Sequence, residues 1–315
     1  MSVGLGIASI GAYGFLAAAE YQSYAAFLGS LFVLAMGITL VQVAANPLVT
    51  LLGKPETASS RLTMVGAFNS LGTTLAPLVG AALILSQTTV ESVQKPYMVL
   101  GTALLILSIG VSFVKFPEFK NESEDEVTWS ELFKNKRLML GAGGIFAYVG
   151  AEVAIGSFLV SWLGDAQVLS LTPQVAGGFV SFYWGGAMVG RFIGTPLLVK
   201  FKPERVLFVF VLAAAAAIAL SMATGGHIAQ WAMLSIGLFN SIGFPTIFSE
   251  SLVGLKKGTE KASGILCAAI IGGAIIPLFQ GILADQISLR WSFVLPILCY
   301  GYLAYFAKKL ESKNA

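Results

Sequence analysis

The sequence predicts an all-α polytopic membrane protein, and its composition, its long apolar runs and the charges of its loops indicate this fold class. Of the 315 residues, 56% are apolar and 11% are charged, whereas soluble domains carry about 25% charged residues. The mean hydropathy is +0.82. A chain so poor in charge cannot cover a water-facing surface, so we expect its solvent to be largely lipid.

Ten apolar runs have the length that crosses a bilayer, which is about 20 residues for a helix. Strands of a membrane barrel would be shorter and would alternate in polarity, so the runs are predicted to be helices. In chain order the runs lie at 1–19, 24–51, 62–86, 97–115, 138–163, 173–199, 204–222, 228–252, 262–286 and 291–308.

The loops between these runs alternate in charge. Lysine and arginine cluster after every second run, whereas the opposite loops hold only Lys95 and Arg290. Basic loops of membrane proteins face the cytoplasm. The pattern therefore predicts that both termini are cytoplasmic.

The longest polar stretch, 116–137, divides the chain into a partial N-terminal bundle of four helices, 1–115, and a C-terminal six-helix bundle, 138–315. Thr128 and Glu131 have the spacing of a capping box. We predict a short amphipathic helix in this linker, lying on the cytoplasmic membrane surface. A solvated linker is the alternative interpretation.

An internal repeat relates the two halves of the chain. Pro77 and Pro277 lie in similar segments 200 residues apart, and Pro47 and Pro245 lie in similar segments 198 residues apart. Parallel six-helix repeats are typical of one large class of secondary transporters. The repeat predicts two further helices before Met1, and so ten helices present of an expected twelve. We accordingly expect the 315-residue chain alone to insert poorly and not to transport, and the DNA upstream to encode two apolar segments.

Several polar side chains lie at mid-depth in the predicted helices. Gln42 and Asn46 are four residues apart and share one helix face, and each unpaired polar group in lipid costs several kcal/mol. Such groups should face protein or a water-filled cavity, and amides that both donate and accept suit a neutral polyhydroxylated ligand. The predicted substrate-binding residues are Gln42, Asn46, Asn69, Glu152, Tyr183, Trp184 and Asn240.

A structural role is the alternative for these residues. Amides also join helices within membranes, and Glu152 could be a protonated packing residue, although an intramembrane carboxylate is functional by default. Gly190 and Arg191 lie near the predicted cytoplasmic end of their helix, where we expect the arginine to hold a gate or loop. The predicted helix bends are at Pro47, Pro77, Pro245 and Pro277.

Residues for covalent chemistry are scarce. The single histidine, His227, has no acidic neighbours, and Cys267 and Cys299 have no disulfide or metal spacing. We expect no enzyme activity, no metal and no cofactor, although a coupling cation, H⁺ or Na⁺, fits a secondary transporter. The net charge of +3 is spread out, which argues against nucleic acid. The expected partners are a small neutral sugar and the lipid bilayer, with no obligate protein partner evident.

Six segments together carry a resemblance to a known family. They are Q-V-A-A-N-P-L-V-T-L-L-G at 42–53, R-L-T-M-V-G-A-F-N-S-L-G-T at 61–73, Y-V-G-A-E-V-A-I-G-S-F-L at 148–159, S-F-Y-W-G-G-A-M-V-G-R-F-I-G at 181–194, F-N-S-I-G-F-P-T-I-F-S at 239–249 and G-G-A-I-I-P-L-F-Q-G at 272–281. The chain resembles the bacterial fucose/glucose/galactose permeases, a branch of the major facilitator superfamily, and is most similar to their glucose/galactose members. The resemblance implies the fold of that superfamily, the bacterial inner membrane, and alternating access to a hexose site between two helical halves.

The chain departs from the fucose permeases at two positions. They carry a glutamate where this chain has Gln42, and an aspartate on a first helix that has no counterpart here. The family pattern links both acids to proton-coupled uptake, so coupling of the fucose type is in doubt. An L-fucose or amino-sugar permease is the first alternative. A non-transporting remnant or a membrane sensor is the second.

Overall fold

The computed structural model describes residues 1–80, 91–116, 127–255 and 257–314. Within these ranges the chain is helical and contains no strand. The helices are α1 (Ser2–Glu20), α2 (Tyr24–Leu51), α3 (Ala58–Gly80), α4 (Glu91–Ser112), α5 (Trp129–Lys134), α6 (Lys136–Gly164), α7 (Pro173–Lys200), α8 (Pro203–Ala223), α9 (Gly226–Asn240), α10 (Gly243–Leu252), α11 (Thr259–Ala268), α12 (Gly272–Gln286), α13 (Leu289–Ser292) and α14 (Val294–Asn314). Short 3₁₀ turns lie at Pro55–Thr57 and Ala269–Ile271.

The predicted all-α membrane fold is confirmed. Among the described residues, eight helical stretches are long and apolar enough to cross a membrane. The other two predicted runs correspond to α3 and α7, which are 23 and 28 residues long. Each of these two helices contains serine, threonine and glycine together with an arginine, Arg61 or Arg191, and these residues lower its hydropathy. Residues 81–86 of the third predicted run lie outside the described residues.

The predicted linker helix is present as α5, and the capping box is formed. Thr128 Oγ1 accepts from the Glu131 N–H at 3.3 Å, and Glu131 Oε2 accepts from the Thr128 N–H at 2.9 Å. These bonds to Thr128 hold the pKa of the exposed Glu131 carboxyl below its usual value. Leu132 is buried whereas Trp129 and Phe133 are exposed, and the amphipathic placement of this helix on the membrane surface stays a prediction. The acidic run ahead of it, 122–126, lies outside the described residues.

The contacts within the chain define two compact units. Unit 1 comprises Met1–Leu48 and Leu75–Glu126, and unit 2 comprises Val49–Thr74 and Val127–Ala315. The predicted division into bundles at 1–115 and 138–315 stays a prediction.

In unit 1, small residues allow helices to approach closely. A Cβ on Gly11 would lie 2.3 Å from the Leu34 backbone nitrogen of α2. On the α4 side of α1, Ser9 Oγ donates to the Gly101 carbonyl at 2.7 Å. A polar side chain that bonds a neighbouring backbone in this way is satisfied without water.

In unit 2, α6 lies at the centre and packs against α7, α10, α12 and α14. Its contact with α12 also depends on small residues, because a Cβ on Gly272 would lie 2.1 Å from the Phe146 carbonyl oxygen. The buried face of α6 includes Tyr148, Ile155, Leu159 and Trp162. This packing presents the middle of α6 to α7, α9 and α14.

Two of the predicted runs are interrupted in their middle, and the run at 291–308 is interrupted near its start, at Phe293. The run at 228–252 breaks between Asn240 and Gly243, and the run at 262–286 contains the 3₁₀ turn Ala269–Ile271. Each of these two interruptions comes shortly before a proline, Pro245 or Pro277. Pro47 lies inside α2, which is helical throughout, and Pro77 lies in α3 with its side chain outside the described residues. The bends assigned to these prolines stay predictions.

Candidate functional site

A buried amide at the C-terminal end of α9 joins three helices. Asn240 is 2% exposed. Its Nδ2 donates to Tyr183 Oη of α7 at 2.9 Å, and its Oδ1 accepts from Tyr300 Oη of α14 at 2.5 Å. Both ends of the amide are therefore bonded to phenol groups, which fixes its orientation.

The carboxylate of α6 lies in the same cluster. Tyr148 and Glu152 are one turn apart, and Tyr148 Oη lies 2.8 Å from Glu152 Oε1 and 2.6 Å from the Asn240 carbonyl oxygen. Tyr183 Oη donates to the Glu152 backbone carbonyl at 3.0 Å. Four helices thus meet in one polar network of two carbonyls, one carboxyl, one amide and three phenols.

An indole ring borders this network. The rings of Tyr183 and Trp184 lie 5.2 Å apart in an edge-on arrangement. A Cβ on Gly156, one turn after Glu152, would lie 3.2 Å from Trp184 Cζ2. The glycine therefore leaves room for the indole against α6, and Trp184 stays partly exposed.

Arg191 bonds the backbone in the break between α9, which ends at Asn240, and α10, which begins at Gly243. Pro245 has no N–H, so the Ser241 carbonyl four residues earlier lacks its helical donor. Arg191 Nε donates to that carbonyl at 3.2 Å. Its Nη1 donates to the Gly66 carbonyl of α3 at 3.0 Å and bonds Ser70 Oγ. Arg191 therefore joins α3, α7 and the break.

The same face of α3 makes further polar contacts within unit 2. Ser59 Oγ lies 2.6 Å from Ser249 Oγ of α10, and Ser60 Oγ donates to the Thr195 carbonyl of α7 at 2.9 Å.

The remaining predicted site residues are unpaired amides. Gln42 and Asn46 lie one turn apart in unit 1, both partly buried, and Asn69 lies exposed in unit 2. None of the three side chains forms a hydrogen bond with a residue that the structure describes. The predicted substrate-binding residues thus divide into a bonded group, Glu152, Tyr183 and Asn240, and a group of free amides.

The sequence indicates some members of this arrangement but not their partners. Tyr148 lies four residues before Glu152, which places both on one helix face. Tyr300 and Ser70 carry no local signal, since their partners are 60 and 121 residues away. Gln280 of α12 is fully buried, and neither end of its amide bonds to a described residue.

The described residues offer few groups that could bind a metal ion. In the ranges that the structure describes, no three His, Cys, Asp or Glu side chains come together as metal ligands. A helical membrane bundle that keeps a carboxyl, amides and phenols inside its packed helices has the makeup of a membrane transport protein.

Comparison with known proteins defines the family. Residues 1–254 match the model of the Major Facilitator Superfamily. The chain is 50% identical over 316 residues to a Brucella abortus protein named glucose/galactose transporter, covering 96% of this chain and 76% of that protein. It is 31% identical over 339 residues to the L-fucose-proton symporter of Escherichia coli, covering 97% and 76%.

A solved structure has the same fold. The crystal structure of the superfamily transporter FucP in the outward conformation matches with a TM-score of 0.90 and 29% identity, covering 98% of this chain and 82% of that one. The chain belongs to the major facilitator superfamily, and it is a multi-pass membrane protein.

Proposed function

We propose that this protein is a secondary active transporter that moves a neutral hexose, glucose or galactose, across the bacterial inner membrane by alternating access. The observation that carries the proposal is a set of membrane-helix amides, Gln42, Asn46 and Asn69, that bond to no residue the structure describes, in a chain half identical to a glucose/galactose transporter. An unpaired amide in a membrane helix costs several kcal/mol unless water or a ligand satisfies it. A sugar hydroxyl both donates and accepts, as the amide does.

The site residues have different tasks in this proposal. Gln42, Asn46 and Asn69 bond sugar hydroxyls directly. Trp184, which stays partly exposed beside the polar network, packs against the apolar face of the sugar ring. Asn240 bonds a phenol at each end of its amide, and it contributes by holding Tyr183 in place.

Gly190 and Arg191 serve the conformational change. Gly190 lets α7 approach α9 closely, since a Cβ there would lie 2.4 Å from the Leu238 carbonyl oxygen. Arg191 ties α7 to α3 through Gly66 and Ser70. We assign Arg191 as a latch at the cytoplasmic end, which closes one side of the site and opens when the helices rock apart. Pro47, Pro77, Pro245 and Pro277 supply the bends that this motion uses.

The charge pattern of the loops supports an orientation. Basic residues occur in alternate loops, and by the positive-inside rule these loops and both termini are cytoplasmic. The short helix α5 then lies on the cytoplasmic side of the membrane.

Equilibrium binding of labelled galactose to the complete translation product of the gene tests the substrate. Glucose should compete with galactose, whereas L-fucose and glucosamine should compete poorly. Gln42→Ala should weaken binding by about 5- to 150-fold, because loss of one bond that leaves a partner unpaired costs about 1–3 kcal/mol. Gln174, exposed in the first turn of α7, gives the matched control Gln174→Ala, which should leave binding unchanged. Tighter binding of L-fucose than of galactose would replace the proposal by its fucose-permease alternative.

A further inference from the structure

We propose that the Glu152 carboxyl is the binding site of the coupling proton, and that Tyr148 transmits its protonation to the break between α9 and α10. This inference rests on the proposed function and adds the coupling ion and its site.

Tyr148 Oη has one hydrogen but lies close to two oxygens. The distances are 2.8 Å to Glu152 Oε1 and 2.6 Å to the Asn240 carbonyl, and both match the usual O–H···O length of about 2.7–2.8 Å. A carbonyl oxygen has no hydrogen to give, so the Tyr148 hydrogen occupies the shorter contact. The hydrogen in the other contact then comes from Glu152. Both contacts therefore contain a hydrogen when the Glu152 carboxyl is protonated and donates to Tyr148 Oη.

The carbonyl that Tyr148 bonds belongs to the end of α9. The helix breaks after Asn240 and resumes at Gly243, and carbonyls at a helix end need partners from outside the helix. Tyr148 supplies the hydrogen for Asn240, and Arg191 supplies one for Ser241. The geometry of the break is therefore set by one donor from α6 and one from α7.

Loss of the Glu152 proton changes this arrangement. A carboxylate accepts a hydrogen bond about twice as strong as a neutral carbonyl does, so the Tyr148 hydrogen turns toward Glu152. The Asn240 carbonyl then faces an oxygen lone pair at 2.6 Å and moves away. Because the Asn240 side chain also bonds Tyr183, a movement of Asn240 shifts the Tyr183 ring that lies beside Trp184.

Other ionisable groups around Glu152 come from three helices. Tyr148 lies on α6, Tyr183 and Arg191 on α7 and Tyr300 on α14. Phenols stay neutral and arginine stays charged across the physiological pH range. Glu152 is therefore the member of this cluster that is left to take up or release a proton.

The other buried acid on a neighbouring helix is already paired. Glu250 of α10 forms an ion pair with Arg137 at 2.7 Å. Arg137 lies 15 residues before Glu152 on α6, which is about four helical turns. Glu250 therefore titrates as part of a separate pair.

The coupling follows from linkage. Protonated Glu152 keeps the break between α9 and α10 and the Tyr183 ring in the positions that bind sugar. Sugar binding and proton binding therefore favour each other, and this reciprocity is required thermodynamically. One proton enters from water onto the carboxyl, travels as an O–H bond while the sugar is bound, and leaves to water on the other side. No other bond is made or broken.

Infrared spectroscopy of the complete protein tests the proton site without transport. Wild-type difference spectra between two pH values should contain the C=O stretch of a protonated carboxyl, and Glu152→Gln should lose that band. The galactose dissociation constant should rise about tenfold per pH unit above the Glu152 midpoint, as expected for one linked proton. In Glu152→Gln, which keeps the shape and cannot ionise, it should be independent of pH, and galactose exchange should persist without proton-driven accumulation.

Two tyrosine variants separate the relay from general destabilisation. Tyr148→Phe should keep the infrared band but lose the pH dependence of galactose affinity. Tyr302→Phe is the control, because the Tyr302 hydroxyl also donates to a backbone carbonyl of another helix, that of Leu140 on α6 at 2.9 Å, but away from Glu152. Tyr302→Phe should keep both the infrared band and the pH dependence of galactose affinity.

The outcomes distinguish the two proposals. Carboxyl bands that are identical in the wild type and Glu152→Gln, a pH slope of galactose affinity that survives in this variant, or dependence on sodium instead of protons would overturn the proton site. Absence of any sugar binding by the wild type would overturn the proposed function, while the infrared band would still decide whether Glu152 holds a proton.

Discussion

The close contact between α7 and α9 at Gly190 gives a sharp test of the packing. A Cβ on Gly190 would lie 2.4 Å from the Leu238 carbonyl oxygen and 2.6 Å from Ser241 Oγ. Ordinary contact begins at 3.4 Å, so the backbones would have to separate by about 1 Å at this point. Gly185, on the same helix, has no atom within 4 Å of a Cβ.

The two alanine substitutions should therefore differ in sign. Overpacking costs about 1–3 kcal/mol, and alanine in place of glycine recovers up to about 1 kcal/mol of helix propensity. Gly190→Ala should destabilise the protein by about 1–2 kcal/mol, and it should weaken the Arg191 bond to the Ser241 carbonyl. Gly185→Ala should be neutral or stabilising by up to about 1 kcal/mol.

Thermal unfolding of both variants in the same detergent measures this difference. Gly190→Ala should unfold below the wild type and exchange galactose more slowly. Gly185→Ala should unfold at or above the wild-type temperature. Equal unfolding temperatures for the two variants would show that α7 and α9 do not pack as described, and the geometry of the break would lose its support.

Three further predictions concern other parts of the chain. Gln280→Met should raise the free energy of unfolding by about 1–3 kcal/mol, because the buried amide has no partner among the described residues and methionine has a similar shape. A lower unfolding temperature for this variant would mean that the amide forms a hydrogen bond in the folded protein. Asn69→Ala should weaken galactose binding about 5- to 150-fold at unchanged unfolding temperature, and unchanged affinity in a binding assay would remove Asn69 from the site. The capping box of α5 contributes stability above the ordinary pKa of a glutamate, because bonding to Thr128 lowers the pKa of Glu131, and this stability is lost as the pH falls through the lowered pKa. Amide exchange of α5, corrected for intrinsic rates, should therefore speed up once the pH falls below the ordinary pKa of a glutamate, and Thr128→Ala should speed it up at neutral pH as well.

Local patterns predicted much of this structure. The helix bounds follow from long apolar runs, and α5 follows from the spacing of Thr128 and Glu131, which are partners within one turn. The face shared by Gln42 and Asn46 likewise follows from helical periodicity. These features depend on neighbours in the sequence, so the sequence alone specifies them.

The polar network could not be predicted in the same way. Asn240 bonds Tyr300 across 60 residues, and Arg191 bonds the Gly66 carbonyl across 125. Such contacts depend on which helices pack together and at what height, and periodicity carries no information on either. The break at 241–242 was also missed, because a proline inside a membrane helix is compatible with a bend as well as with an interruption.

Galactose counterflow tests the central claim most directly. The complete translation product of the gene is reconstituted in liposomes loaded with unlabelled galactose and diluted into labelled galactose at low concentration. Exchange through an alternating-access site should accumulate label transiently inside the liposomes, external glucose should suppress the signal, and Gln174→Ala should retain it. Absence of label accumulation in wild-type liposomes whose protein is folded, or accumulation that external glucose does not affect, would contradict the assignment of a hexose transporter.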